Sequence, residues 1–304
     1  MLHFLNLIRW KNLTLIILAQ VLIKYALFDA FNVAITLNSF GFFLLIAATV
    51  CIAAAGNIIN DIYDIDTDII NKPEKLIVTK YISEQAAFNW FIALSITGVG
   101  LGFYVSNLVN KSGFASIFIL VSGLLYVYAN YLKRTFLIGN IVISALVGLS
   151  ILIIGLFELL PAITDSNQPT QIMFFKILWD YAVFAFMINL VRELIKDIED
   201  IDGDYNQDMK TLPIIIGRER AIKTVFVISL IPLFAVTYYV VTYLYKQQIA
   251  IIYFLACIIA PLLYVTINLF SATTKKELAH LSNILKLILF FGVLSLLLYP
   301  FILK

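Results

Sequence analysis

Asp61, Asp64 and Asp68 stand at i, i+3 and i+7, and Asp197, Asp200 and Asp204 repeat that spacing 136 residues later. At about 100° per residue on a helix, i+3 falls at about −60° and i+7 at about −20°, so each trio lines one face. Asn57 and Glu193, four residues before each trio, fall at about −40° and join those faces. Asn60 and Lys196, one residue before, lie on the flank, while Asp66 and Asp202 project elsewhere, onto neighbours or solvent. Three carboxylates on one face repel, and without a cation at least one takes up a proton. Oxygen-only ligands suit Mg²⁺, which bridges carboxylates to substrate phosphates. Two facing trios could hold two or three Mg²⁺ with a diphosphate between them, and nearby lysines and arginines would add donors to its oxygens.

A single DxxDxxxD at a membrane surface is usually only solvated. Two copies with equal spacing call for more, because ionisable groups bordering a membrane bundle are functional candidates by default. Ten of the 19 acidic residues fall in two short stretches, 61–68 and 193–204: Asp61, Asp64, Asp66, Asp68, Glu193, Asp197, Glu199, Asp200, Asp202 and Asp204. The first trio is followed by Asn71, Lys72 and Pro73, the second by Gln207, Asp208, Lys210 and Pro213. Each half therefore reads as an apolar span, an acidic helix end, a polar turn, a lysine and a proline. This is the pattern of an internally duplicated four-helix unit, which would bring both acidic faces to one central mouth.

The rest of the chain supplies the elements that position them. Of its 304 residues 62% are hydrophobic and only 13% charged, with a mean hydropathy of +0.97. A soluble domain is about half apolar and a quarter charged, so a soluble enzyme, a disordered chain and a disulfide scaffold are excluded. A net charge of +2 gives no reason to expect nucleic acid as a partner. Nine apolar segments run near 13–33, 39–59, 86–107, 114–132, 137–160, 173–191, 222–245, 248–271 and 283–303. In lipid the backbone must satisfy its own hydrogen bonds, so these are helices. The expected fold is all-α: a polytopic membrane protein with nine transmembrane helices around a central cavity, in two pseudo-repeated halves, with residues 1–304 as a single domain. No small-residue cleavage site follows the apolar run after Arg9 and Lys11, so a secretory signal is not expected. Cys51 and Cys257 lie in apolar stretches and read as packed thiols.

Lysine and arginine set the orientation. With the N-terminus in the cytoplasm, the connections on that side hold Arg9, Lys11, Lys72, Lys75, Lys80, Lys133, Arg134, Arg192, Lys196, Lys210, Arg218, Arg220, Lys223, Lys275, Lys276 and Lys286. Only Lys24, Lys111, Lys176, Lys246 and Lys304 of the 21 basic residues fall on or near the far side. The expected topology is N-in and C-out, with both acidic motifs facing the cytoplasm.

At this point the residues resemble a known family. Asn60-Asp61-x-x-Asp64-x-x-x-Asp68 resembles the first aspartate motif of the UbiA superfamily of intramembrane prenyltransferases, and Asp197-x-x-Asp200-x-x-x-Asp204 resembles the second. Arg9-Trp10-Lys11-Asn12 is similar to the basic lead-in to the first helix. Tyr128, followed by Lys133-Arg134 and Gly139-Asn140, is similar to the connection where a tyrosine and a lysine approach the diphosphate in relatives. Tyr126 or Tyr131 could take the place of Tyr128, because the register is open. Lys210-Thr211-Leu212-Pro213 resembles the segment after the second motif. One departure stands out: where many relatives carry N-x-P-x-R-P, this chain has Asn71-Lys72-Pro73-Glu74-Lys75-Leu76. Lys75 can still donate to phosphate but lacks the bidentate fork of arginine. The string from Arg192 to Asp204 is similar to the branch that adds geranylgeranyl to geranylgeranylglyceryl phosphate; aromatic-acceptor branches of quinone synthesis are the alternative.

The resemblance implies Mg²⁺-dependent transfer of a prenyl group from a prenyl diphosphate to a lipophilic acceptor within membrane lipid, with no obligate protein partner. Asn60, Asp61, Asp64 and Asp68 would bind one Mg²⁺, and Asp197, Asp200 and Asp204 another. Asp64, Asp68, Asp200, Lys133 and Tyr128 would act in catalysis, and Lys75, Lys133, Arg134, Lys196 and Lys210 would bind diphosphate. Asn57, Glu193 and Arg9 are further candidates, Glu193 either at the metal or as partner of Lys196 or Arg192. His3 and His280 lie near the two ends, away from both motifs, and Glu158, Asp165 and Asp180 read as structural residues toward the far side. A cation-coupled transporter is the distant alternative. Such proteins place their acids near the bilayer midplane, whereas these acids sit at the membrane edge.

Overall fold

The computed structural model describes residues 2–302. Lys304 and the last residue of the ninth expected segment, Leu303, lie outside the described residues. Among the described residues nine helices are long and apolar enough to cross a bilayer. They are span 1 (Trp10–Phe31), span 2 (Ser39–Tyr63), span 3 (Glu84–Leu108), span 4 (Ser112–Asn130), span 5 (Ile138–Ala162), span 6 (Gln168–Glu199), span 7 (Arg218–Tyr243), span 8 (Gln248–Ser271) and span 9 (Lys275–Phe301). The chain is an all-α, multi-pass integral membrane protein.

Local chemistry sets where these helices start. Asn38 accepts from the Gly41 N–H at 2.8 Å and opens span 2, Ser83 opens span 3 in the same way, and Thr274 with Glu277 forms a capping box at span 9. These side chains satisfy N–H groups that have no partner inside the helix. Span 6 ties the bundle together. Its first half (Phe174, Leu178, Ala182, Ala185) packs into one apolar cluster with spans 1 to 5. Its second half (Ile188, Val191, Leu194, Ile195, Ile198) packs into another with spans 7 to 9. Spans 5 and 6 approach at Gly148, where an added Cβ would lie 2.9 Å from the Ala182 carbonyl oxygen; such close contacts let membrane helices associate.

The spans differ from the hydropathy reading mainly at the motif end. Span 2 runs on to Tyr63, span 6 to Glu199, and span 9 begins at Lys275. Hydropathy stops at the first charges because it reads exposure to lipid. These extra turns wall a polar cavity inside the bundle, where a charged helix meets no lipid.

The two acidic segments also break in the same place. Span 2 ends at Asp64, with φ −93° and ψ 0°, and a short helix Ile65–Asn71 follows. Span 6 ends at Asp200, with φ −97° and ψ 7°, and Ile201–Asn206 follows. Each trio was expected on one continuous helical face; instead the middle aspartate is the elbow. Thr67 gives one reason, since its hydroxyl donates to the Asp64 carbonyl oxygen at 2.9 Å. Short polar side chains of this kind compete with the helical ladder.

Candidate active site

The two elbows face each other, and side chains cross between them. Asn71, on the short helix after the first elbow, donates to the Asp200 carbonyl oxygen at 2.7 Å and accepts from the Gly203 N–H at 3.0 Å. The break in span 6 frees the Gly203 N–H, and the Asp200 carbonyl oxygen also accepts from the Asp204 N–H at 3.2 Å, so one amide ties together both sides of the second elbow. The approach needs glycine at 203, because a Cβ there would sit 2.7 Å from the Thr67 carbonyl oxygen. Lys72 donates to Asp200 Oδ2 at 2.6 Å across the same gap and lies 3.8 Å from Glu199. Burial opposes the charge on Lys72, but Asp200 and Glu199 outweigh it and its pKa is raised.

Partners follow the duplication. In the first motif Arg9 donates to Asp61 at 2.7 Å, and Asp64 accepts from Lys133 and Asn60. In the second, Asp197 accepts from Asn140 at 2.9 Å and Asp200 from Lys72. The i+7 acids stand apart: among the described residues no hydrogen bond reaches the carboxylate of Asp68 or Asp204. Burial, then repulsion from Asp61, pushes Asp68 up to about 6. Burial, then repulsion from Asp200, pushes Asp204 up to about 7. Asp200 Oδ1 is buried without a partner.

The residues present therefore fit a hard divalent cation: seven oxygen donors, one buried oxygen left open, and two carboxylates unable to ionise at their ordinary pKa without added positive charge. No three carboxylates are gathered tightly enough to hold an ion among the described residues. The reason is visible in the ion pairs, which draw Asp61, Asp64 and Asp200 toward Arg9, Lys133 and Lys72.

The elbows open into a cavity of about 1020 Å³. Its polar end holds all seven proposed metal-binding residues, with Asn57, Arg9, Glu193, Lys133, Lys196 and Lys75. Its other end is apolar, lined by Phe118, Val121, Leu125, Val147 and Ile153 of spans 4 and 5 and by Ile52 of span 2. Phe118 packs edge-on against Phe157 with ring centroids 5.6 Å apart. The register around Tyr128 is resolved: Tyr128 lines the cavity, while Tyr131 is exposed and Tyr126 is turned to Tyr63. Asn57 donates to the Ile8 carbonyl oxygen at 3.0 Å, tying the N-terminal segment to span 2. Glu193 accepts from both Arg192 at 2.8 Å and Lys196 at 2.9 Å.

Two of the expected diphosphate residues stand elsewhere. Arg134 and Lys210 do not line the cavity; the Lys210 N–H donates to the Arg134 carbonyl oxygen at 2.8 Å, so they join the two connections behind it. Asp66 is exposed, and Asp202 pairs with Lys275 at 2.6 Å on the surface, as their angles imply. His3 departs from expectation: it lies on the cavity rim, stacked on Tyr81 at 3.9 Å. Sequence reading also missed Lys286 and Asn283, which line the cavity from span 9. The signal was there as Ala279, Ser282, Asn283 and Lys286, at i, i+3, i+4 and i+7, on one face of span 9.

Comparison with known proteins bears on this arrangement. The model of the UbiA prenyltransferase family matches residues 22–292. Digeranylgeranylglyceryl phosphate synthase of Methanopyrus kandleri is 37% identical over 188 residues, a stretch spanning 61% of this chain and 62% of that enzyme. The Korarchaeum cryptofilum enzyme of the same name is 33% identical over 251 residues, 81% of each chain. Among solved structures, one reported for digeranylgeranylglyceryl phosphate synthase in membranes superposes with a TM-score of 0.63 at 24% identity, covering 97% of this chain and 98% of that one. A UbiA homologue from Archaeoglobus fulgidus bound to GPP and Mg²⁺ superposes with a TM-score of 0.56 at 19% identity, covering 97% and 99%. The fold of those structures, the two matched acidic elbows and the family match over most of its length place this chain in one group: it belongs to the UbiA prenyltransferase family.

Proposed function

We propose that this protein catalyses Mg²⁺-dependent transfer of a geranylgeranyl group from its diphosphate to geranylgeranylglyceryl phosphate. The observation that carries the reading is the cavity itself, with two facing carboxylate motifs at one end and an apolar channel between spans 4 and 5 at the other. A prenyl diphosphate has that same division into a charged head and an apolar tail. The relatives at 33–37% identity are named for this product, which supports the acceptor.

Asn60, Asp61, Asp64 and Asp68 would hold one Mg²⁺, and Asp197, Asp200 and Asp204 another. Bound there, the ions would supply Lewis-acid neutralisation of the departing diphosphate. Lys133 and Lys72 now neutralise Asp64 and Asp200 and are placed to donate to phosphate oxygens instead; Lys75 and Lys196 add to them at the rim. The C–O bond to the prenyl carbon breaks, the diphosphate leaves with the electron pair, and the acceptor hydroxyl oxygen bonds to the allylic carbon and loses its proton. Tyr128 and Phe118 line the cavity, and an aromatic face turned to a nearby cation is worth roughly 0.5–2 kcal/mol. The apolar walls keep water from the carbocation. Asn57 and Arg9 position the first motif, Arg9 through Asp61. Residues 1–304 act as one domain, with the N-terminus and the mouth of the cavity in the cytoplasm, as the basic residues favour.

The test is direct. The purified protein is incubated with labelled geranylgeranyl diphosphate, Mg²⁺ and a panel of acceptors, and the products are separated. Prenylated glycerol ether phosphate is expected. Product from a hydroxybenzoate or naphthoate alone would move the protein to an aromatic-acceptor branch, and no pyrophosphate release with any acceptor would sink the enzyme reading.

A further inference from the structure

The carboxylate end of the cavity does not use all of its positive charge. Span 6 turns Asn189, Arg192, Glu193 and Lys196 into the cavity, and span 9 turns Ser282, Asn283 and Lys286 toward them. Lys11 completes the group from the start of span 1. The charged groups acting on Lys286 are Arg192, Lys11 and Arg9, all of its own sign, with no carboxylate among them. Glu193 answers Arg192 and Lys196, and Asp61 answers Arg9. Lys11 and Lys286 have no ion-pair partner among the described residues. The Arg192 Nε is buried without a hydrogen-bond partner, although its side chain is only 17% exposed.

Like charges held together at the edge of a membrane cavity raise each other's energy unless an anion joins them. The diphosphate does not need this group, because Lys133, Lys72 and the two elbows already face it. A second anion is needed in one case, an acceptor that carries its own phosphate. On a glycerol with one ether and one phosphate, the free hydroxyl lies within one or two carbons of the phosphate. The cationic group must then border the carboxylates, and Arg9 provides the border: it pairs with Asp61 at 2.7 Å and also acts on Lys196 and Lys286.

We infer that Lys286, Lys11 and Arg192, with Asn283 as a neutral donor, form a phosphomonoester subsite that anchors the acceptor between spans 1, 6 and 9 and points its hydroxyl toward the prenyl carbon. This rests on the glycerol ether phosphate reading above. A phosphomonoester carries nearly two negative charges and several strong acceptors, matching three cations and an amide. An aromatic carboxylate would leave most of them unanswered.

The test uses the full chain in nanodiscs of neutral phosphatidylcholine, so that no anionic headgroup competes. Geranylgeranylglyceryl phosphate and its phosphate-free alcohol are compared as acceptors for the wild type, Lys286→Ala, Lys286→Arg and Lys11→Ala. KM is measured for each acceptor and for the donor, and the equilibrium Kd of each acceptor is measured in EDTA, where nothing turns over. Lys286→Ala and Lys11→Ala should each weaken the phosphorylated acceptor about tenfold, the size of one lost charge-assisted hydrogen bond. The phosphate-free acceptor and the donor KM should stay within about twofold, and Lys286→Arg should restore most of the loss. Equal losses for both acceptors, or an unchanged Kd for the phosphorylated one, overturns the subsite while leaving the proposed reaction intact. A wild-type enzyme that makes no product from the glycerol ether phosphate overturns that reaction and the subsite with it.

Discussion

At the end of the bundle away from the motifs, Glu158 is fully buried and saturated. It accepts from Lys24 at 2.7 Å, from the Thr36 N–H at 3.1 Å and from the Leu37 N–H at 2.8 Å. Lys24 also donates to the Leu37 carbonyl oxygen at 2.8 Å and sits 4.6 Å from the centre of the Phe42 ring. The mouth is built the other way. Asp68 and Asp204 have no hydrogen-bond donor among the described residues, Asp200 Oδ1 and Arg192 Nε are left open, and like charges face each other across a cavity. Both regions bury charge at the edge of lipid. The closed pair is satisfied from within and has no use for a ligand, whereas the open cluster is balanced only when ions and anions arrive. Unsatisfied charge, rather than charge as such, separates a site from a strut.

Removing one partner at each place tests this contrast most severely. Glu158→Ala leaves Lys24 buried and unpaired, and should cost about 3–5 kcal/mol of stability, read as a large drop in thermal midpoint in detergent. Asp200→Asn and Asp68→Asn should cut turnover about 100-fold, of the order expected for a lost ligand to a charge-stabilising metal, with the thermal midpoint unchanged or raised for Asp68→Asn, which relieves buried repulsion, and only modestly lowered for Asp200→Asn, which gives up its pair with Lys72. If Asp200→Asn unfolds the protein as Glu158→Ala does, the mouth is a strut too and the comparison fails. EDTA should divide the regions in the same way, abolishing prenyl transfer while leaving the Lys24–Glu158 end as protected from hydrogen exchange as before.

Smaller effects sharpen the picture. Asn71→Ala removes the two hydrogen bonds that close the second elbow and should lower turnover about tenfold with a modest loss of stability, roughly 1–3 kcal/mol. Full activity in that variant would show that the elbows hold their places without the amide. At the bottom of the scale, Asp202→Asn breaks only a surface pair with Lys275, worth about 0–1 kcal/mol, and turnover should stay close to wild type. A loss there as large as that of Asp200→Asn would mean that the helical angles assigned to the second motif are wrong.

Much of this was written in the chain. The nine spans follow from lipid acting as a solvent on local composition, and the two carboxylate clusters from a repeated spacing that any helix turns into a face. The angular reading placed Asn57 and Glu193 with the trios, and both line the cavity, because each stands one turn before Asp61 or Asp197 on the same helix; Asp66 and Asp202 also turn away as read, although they lie past the breaks. It failed where the helix itself changed: the breaks at Asp64 and Asp200 set each i+7 aspartate on a separate short helix, and no local pattern announced them.

Tertiary structure decided which basic side chains share the cavity and which do not. Arg134 and Lys210 carry the expected residue types in the expected connections, yet their backbones bond to each other behind the site. Lys286 looked like one more lysine on the basic side, and His3 lay far from both motifs in sequence, yet both reach the cavity. Composition and spacing constrain a residue relative to its own helix; the rotation of that helix against its neighbours is fixed by packing over the whole bundle. Gly148 against Ala182 and Gly203 against Thr67 are such contacts, each joining segments far apart in the chain. The sequence determined that two carboxylate faces and an apolar bundle would exist, and its internal repeat already implied that the faces share one mouth; only the packing of the spans decided which cations meet them there.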